Sequence, residues 1–180
     1  MDKQQRQNIE KEISKFGRFV VKESKAILSK NKLTDSGKLK NSIKFTEKET
    51  DGVYELAFFM EDYGRFQDQG VKGAGGVRKT TSKYDPSNNK GKLWKQKAPN
   101  SPFSYKRGGK KPPISAFKRY AQSKGISPFA ISYSIWAQGL KPTMFFTKPF
   151  QKAFKRLPND LIEEFSANVE VYLNNATINR

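Results

Sequence analysis

The sequence predicts an α+β fold: a small antiparallel β-sheet, with its hairpin over 43–60, packed by a long N-terminal helix and C-terminal helices, plus a long basic irregular segment. Three observations predict it. Apolar residues recur at helical spacing near both ends, two alternating runs flank an Asp-Gly pair, and a stretch rich in cations, Gly and Pro without periodicity lies between.

Taken in order, Ile9, Ile13, Phe16, Val20 and Ile27 recur at steps of four, three, four and seven among Lys, Glu and Gln, one stripe on a helix over 3–30. Thr34, Asp35 and Ser36 are capping residues ahead of a short helical turn through Leu39, after which a strand begins near Ile43. Ile43 and Phe45 alternate with Lys44 and Thr46. Beyond the turn Glu49-Thr50-Asp51-Gly52, the run Val53 to Met60 puts Tyr54, Leu56, Phe58 and Met60 on one face, so the two runs pair as an antiparallel hairpin. Glu61 to Gln69 reads as a short helix or turn with Tyr63 and Phe66 inward, closed by Gly70. After Pro112-Pro113, Ile114 to Lys124 reads as a helix closed at Gly125, with Phe117 and Tyr120 on one side. Ser127-Pro128 are N-cap and N1 of the next, running to Gly139 with Phe129, Ile131, Ile135 and Trp136 as its apolar residues. Pro149 opens a helix through Arg156. Asn159 or Asp160 caps a last one with the stripe Leu161, Ile162, Phe165, Val169, Tyr172.

At 180 residues the chain is expected to form a single domain, 1–180, with the basic segment as an extended loop or arm at about 71–112 between hairpin and C-terminal helices. Hydrophobic content is 35% and mean hydropathy is −0.81, yet 14 of the residues are Phe. The core is therefore expected to be small and Phe-rich, joining Phe16, Val20, Ile43, Phe45, Leu56, Phe58, Phe150, Phe154, Leu161 and Phe165. No apolar run approaches the roughly 18 to 20 residues that span a bilayer, and Met1 to Lys15 has no apolar centre of a signal peptide. Without Cys or His, thiolate chemistry, disulfides, an imidazole base and the usual zinc site are excluded.

From Val71 to Tyr120 fourteen Lys or Arg face a single acid, Asp85. At that density cations repel one another and resist burial, so the segment is expected to be a contact surface for something polyanionic or strongly acidic. The residues expected to face DNA or a partner are Lys72, Arg78, Lys79, Lys83, Lys90, Lys92, Lys95, Lys97, Lys106, Arg107, Lys110 and Lys111. Tyr84, Trp94, Phe103 and Tyr105 are interleaved with them, a composition compatible with nucleic acid.

The search for catalytic residues finds none to assign. Asp51, Glu55, Glu61, Asp62 and Asp68 with Lys72 could imitate a metal-dependent nuclease site, but nothing in their spacing fixes which carboxylates converge. Gly73, Gly75 and Gly76 lack the Lys-Ser/Thr and helix of a phosphate-binding loop. No cofactor or metal is implied, and the chain is expected not to be an enzyme.

The order of segments says more. Ser36-Gly37-Lys38-Leu39-Lys40-Asn41-Ser42-Ile43 leads into a strand, Tyr63-Gly64-Arg65-Phe66-Gln67-Asp68-Gln69-Gly70 follows the hairpin, and Phe145-Phe146 with Lys148-Pro149-Phe150 precedes the final helices. Between them stand Pro112-Pro113-Ile114, Lys124-Gly125-Ile126 and Gly139-Leu140-Lys141-Pro142-Thr143-Met144-Phe145-Phe146. This arrangement resembles the neck and tail-completion proteins of tailed bacteriophages, the head-tail joining and tail-component family, with Gly37, Leu39, Ser42, Ile43, Tyr63, Phe66, Gly70, Phe145, Phe146, Pro149 and Phe150 at the motif positions.

The resemblance implies a structural virion protein: a head-tail connector, tail-terminator or tail-completion subunit in a homo-oligomeric ring. Such a ring would sit in the neck or tail region, contact portal or head-completion and tail proteins, contribute to the conduit for double-stranded DNA, and be assembled in the host cytoplasm. The basic segment from Lys72 to Lys111 is longer and more cationic than the family pattern requires, so its role is not inherited from the resemblance. The alternative from composition is an accessory nucleic-acid-binding protein that uses this segment on free DNA or RNA; a metal-dependent nuclease ranks behind it.

Overall fold

A computed structural model describes residues 3–31, 36–50, 53–76, 94–157 and 169–175. The fold is α+β, and its contacts group into two units: Met1–Gly64 with Met144–Arg180, and Arg65–Thr143.

The first unit is built on helix α1, Lys3–Lys30, whose buried line runs Ile9, Ile13, Phe16, Val20, Ser24, Leu28. These steps of three and four keep one face turned inward as far as Leu28, with Ile27 only partly buried beside it. Helix α2, Lys38–Ser42, starts after Gly37 at φ +72° and places Leu39 in the core; Ile43 follows, fully buried. Strand β1, Lys44–Thr50, pairs antiparallel with β2, Val53–Met60, in the register that joins Thr50 to Val53 and Phe45 to Phe58. Asp51 and Gly52 lie outside the described residues, as do Thr34 and Asp35. The inward face of β2 is Tyr54, Leu56, Phe58 and Met60, as the alternation predicts.

The Ser14 hydroxyl donates to the Glu47 carboxylate at 2.6 and 2.7 Å, tying α1 to β1. Helix α6, Thr147–Phe154, closes the core: Phe146 and Phe150 stand edge-on to Phe58 with centroids 5.2 and 6.2 Å away, and Phe150 meets Phe16 at 5.2 Å.

Strand β5, Val169–Asn175, pairs parallel with β2 and gives a three-stranded sheet of order β1-β2-β5. This corrects the helical stripe expected through Val169 and Tyr172, which pair instead with Tyr54 and Ala57; Leu161, Ile162 and Phe165 lie outside the described residues. Val169, Val171 and Leu173 also alternate at period two, and a partner strand on β2 decides between the two periods. Phe154 was expected in the core but is 38% exposed, because the inward positions of α6 go to Pro149, Phe150 and Ala153. The helix starts at Thr147, one turn's edge before the expected opener Pro149.

The second unit holds α3, Gly64–Gln69, from Arg65 onward; β3, Val71–Lys72; a 3-10 turn at Ile114–Phe117; α4, Lys118–Lys124; α5, Pro128–Gln138; and β4, Gly139–Leu140, antiparallel to β3. Gly70 at φ +74° ends α3. Tyr63 and Phe66 are 44% and 42% exposed, not inward; the Phe66 ring leans edge-on against Phe103, 4.7 Å away. Pro128 opens α5 as predicted, although the Ser127 hydroxyl makes no capping bond.

Candidate polyanion-binding surface

In the second unit, seventeen Lys or Arg stand against two acids, Asp68 and Asp85. Asp85 lies outside the described residues and Asp68 is only 4% exposed, so the described part of this unit offers no exposed carboxylate to its own cations. Of the residues expected to face a polyanion, Lys72, Lys95, Lys97, Lys106, Arg107, Lys110 and Lys111 are described and every one is exposed. Arg78, Lys79, Lys83, Lys90 and Lys92 lie outside the described residues.

The backbone under these cations is pinned at several points. Lys72 lies on β3, its N–H donates to the Phe103 carbonyl at 2.7 Å and its carbonyl accepts from Tyr105 N–H at 2.9 Å, so strand pairing turns buried Val71 in and Lys72 out. Gln96 bridges two segments: its side-chain oxygen accepts from Gly73 N–H at 2.7 Å and its amide donates to the Ala137 carbonyl at 3.0 Å. Lys97 N–H donates to Gln138 at 2.8 Å, which fixes the exposed cations on either side of Gln96. Gly73 and Gly139 are required here by close approach. A Cβ on Gly73 would stand 2.2 Å from the Ala137 oxygen, and one on Gly139 2.1 Å from that of Val71.

Further along, Gly108 at φ +75° and the Gly109 N–H bond to Lys106 form the turn that carries Lys106, Arg107 and Lys110. The segment is anchored again at Pro112, whose carbonyl accepts from the buried Ser132 hydroxyl at 2.6 Å. Lys111 Nζ lies 5.4 Å from the Tyr133 ring centre and 5.6 Å from that of Trp136, and Trp94 meets Tyr133 at 6.3 Å. Burial pushes the Tyr105 phenol above its ordinary pKa.

The sequence does not mark Tyr133 or Gln96, and it marks Trp136 only as an apolar residue of its helix, not as part of this surface. Tyr133 and Trp136 at i and i+3 share one face of α5, a signal that was present; Gln96 acts through a bridge over forty-one positions, which no local pattern reveals.

The positions that carry the resemblance divide between the units. Gly37 sits left-handed at the start of α2, Leu39 and Ile43 are core, and the Ser42 hydroxyl donates to the Leu39 carbonyl at 2.9 Å while accepting from Glu61 N–H at 3.0 Å. Phe145, Phe146 and Pro149 are buried and Phe150 packs against them, whereas Tyr63 and Phe66 are exposed and Gly70 ends a helix.

Of the carboxylates considered for metal chemistry, Glu61 pairs with Lys38 at 3.1 Å, Glu55 and Asp62 are exposed, Asp68 is buried and Asp51 is not described; among the described residues no three acids gather around a common point. Among the described residues no helix is long and apolar enough to cross a membrane. Comparison with protein-family models, with curated proteins and with solved structures returns no match.

Proposed function

We propose that the chain is a structural virion protein of a tailed phage, a neck, connector or tail-completion subunit that assembles as a ring and turns the cations of its second unit toward double-stranded DNA. The observation that carries the reading is the frame just described: seven exposed cations on pinned backbone, in a unit whose described surface has no exposed acid. A surface of that kind meets phosphates without reading bases, which is what a conduit passing every sequence requires. The order of motifs and the α+β fold support the phage assignment. Exposed Tyr120, Ile126, Phe129 and Tyr133 on α4, α5 and the turn between them, with Phe129 67% exposed, suit a subunit whose burial is completed by neighbours.

In this reading the partners are further copies of the chain, portal or head-completion proteins, tail proteins and packaged DNA, and the location is the neck or tail of the virion. The test is the size of the purified protein, alone and with head and tail components, beside its affinity for duplex DNA across a salt series. A ring far above 20.6 kDa that binds duplexes of unrelated sequence equally is expected. A chain that stays monomeric with every partner, yet shifts DNA with steep salt dependence, overturns the ring in favour of an accessory nucleic-acid-binding protein.

A further inference from the structure

We propose that the hollow between α1 and α6, in the first unit, is a docking site for an acidic protein segment that carries an apolar anchor residue. The hollow encloses about 210 Å³. Its apolar lining is Phe16, Phe19, Ala153 and Leu157; its polar lining is Glu12, Lys15 and Arg156. The Phe19 ring carries two cations on its faces or edges, the Arg156 guanidinium 4.9 Å and Lys152 Nζ 5.7 Å from its centre.

Charge selects the occupant. From Thr143 to Asn159 the chain has Lys148, Lys152, Lys155 and Arg156 and no acid. All four are exposed, and none is within ion-pair distance of a carboxylate among the described residues. Glu12, the acid at the hollow, is already held by Lys15, and Glu23 stands one turn beyond Phe19 on α1. Carboxylates of a partner would therefore find Lys152 and Arg156 unspent beside the Phe19 ring of an apolar hollow, which is the pattern of an interface anchor flanked by polar contacts. A phosphodiester backbone would answer the charge but leave the apolar lining unfilled, so the geometry favours a peptide over DNA. This site lies in a different unit from the polyanion-binding surface, and each proposal can fail without the other.

The experiment is fluorescence anisotropy of the full chain with a short fluorescein-labelled peptide bearing glutamates on both sides of a central Phe-Leu pair. A control peptide has Ser-Ser at the centre, and a short duplex DNA serves as competitor. The Phe-Leu peptide should bind, and the Ser-Ser peptide should bind about tenfold more weakly. Lys152→Gln with Arg156→Gln, both exposed positions, should cost about tenfold, while the charge-matched pair Lys30→Gln with Lys124→Gln should leave affinity unchanged. Phe19→Ala should reduce the preference for Phe-Leu, read beside its melting curve. Equal binding of the two peptides, or equal loss in both charge pairs, would reduce the effect to attraction by net charge and overturn the proposal. Displacement of the peptide by DNA that vanishes in the Lys152→Gln, Arg156→Gln chain would assign the site to phosphate instead.

Discussion

Phe58 is fully buried, with Phe146 and Phe150 edge-on and Phe45 tilted against it at 6.2 Å, so no neighbour can move in without losing a ring contact. Phe58→Ala should cost about 3 to 5 kcal/mol in urea unfolding; an unchanged midpoint would refute its central place. Ser42 is a smaller case. Its hydroxyl joins the end of α2 to Glu61, so Ser42→Ala orphans a part-buried N–H and should cost about 1 to 2 kcal/mol, while Ser42→Thr should recover much of it. The phenols of Tyr63 and Tyr105 are held above their ordinary 10.0, both chiefly by burial, with the Glu61 charge adding to the effect at Tyr63 and the Leu39 backbone and Lys38 opposing it. A raised value means that the fold favours the protonated phenol, so this contribution is complete below pH 10 and is lost as the pH rises through the folded-state value. Tyr105→Phe should therefore flatten the alkaline fall in stability measured between about pH 9 and 12, and an identical fall in the variant would remove Tyr105 as a cause. At this scale Leu56 and Phe58 were legible because strand alternation names a face. Tyr63, Phe66 and Phe154 were not, because aromatic type alone says nothing of direction when the nearest partner is a distant segment.

Helix α1 carries Gly17 in its buried stripe, where Ala would be favoured by about 0.8 to 1 kcal/mol on propensity alone. The reason is across the interface: a Cβ there would stand 2.4 Å from the ring of Phe45 on β1. Gly17→Ala should thus destabilise the chain, and adding Phe45→Leu should return part of the loss; a simple gain from Gly17→Ala would show that the ring moves aside freely. In the second unit, Gly139→Ala meets both a φ of +86° and the Val71 carbonyl, and should cost at least about 2 kcal/mol, with the end of α5 and β3 opening first in hydrogen exchange. Protection there equal to that of the parent chain would contradict this frame. The elements were legible wherever one period dominates, as in α1 and β2, or where a proline marks the start, as Pro128 does in α5. The stretch ending in β5 supports both a helical and an alternating reading, and its pairing with β2, more than a hundred residues earlier, settles the matter beyond the reach of local pattern. The same holds for the candidate surface: its cations can be counted in the sequence, but the frame that pins them comes from Gly73 and Gln96 meeting Ala137, a pairing of distant segments.

Over the whole molecule the charge is divided unevenly. With seventeen of the 35 cations and two of the 17 acids in the second unit, the first retains eighteen and fifteen, close to balance. Excess charge confined to one unit destabilises that unit by self-repulsion, and a bound counter-charge would relieve it. Phosphates and acidic proteins make different demands on it. Against duplex DNA, each cation that neutralises a phosphate releases a counterion, and log affinity falls with log salt at about 0.9 per contact. Replacing Lys95, Lys97, Lys106 and Lys110 by Gln should lower that slope by up to roughly 3 to 4, weaken binding alike for unrelated sequences, and leave ring size unchanged. If the chain is the neck or tail-completion subunit proposed above, filled heads carrying the same variant should retain DNA less well while still joining heads to tails. If the four lysines instead meet acidic faces of neighbouring virion proteins, the variant should fail to join heads to tails and its DNA slope should match the parent. That outcome would move the cations from the conduit to the joint.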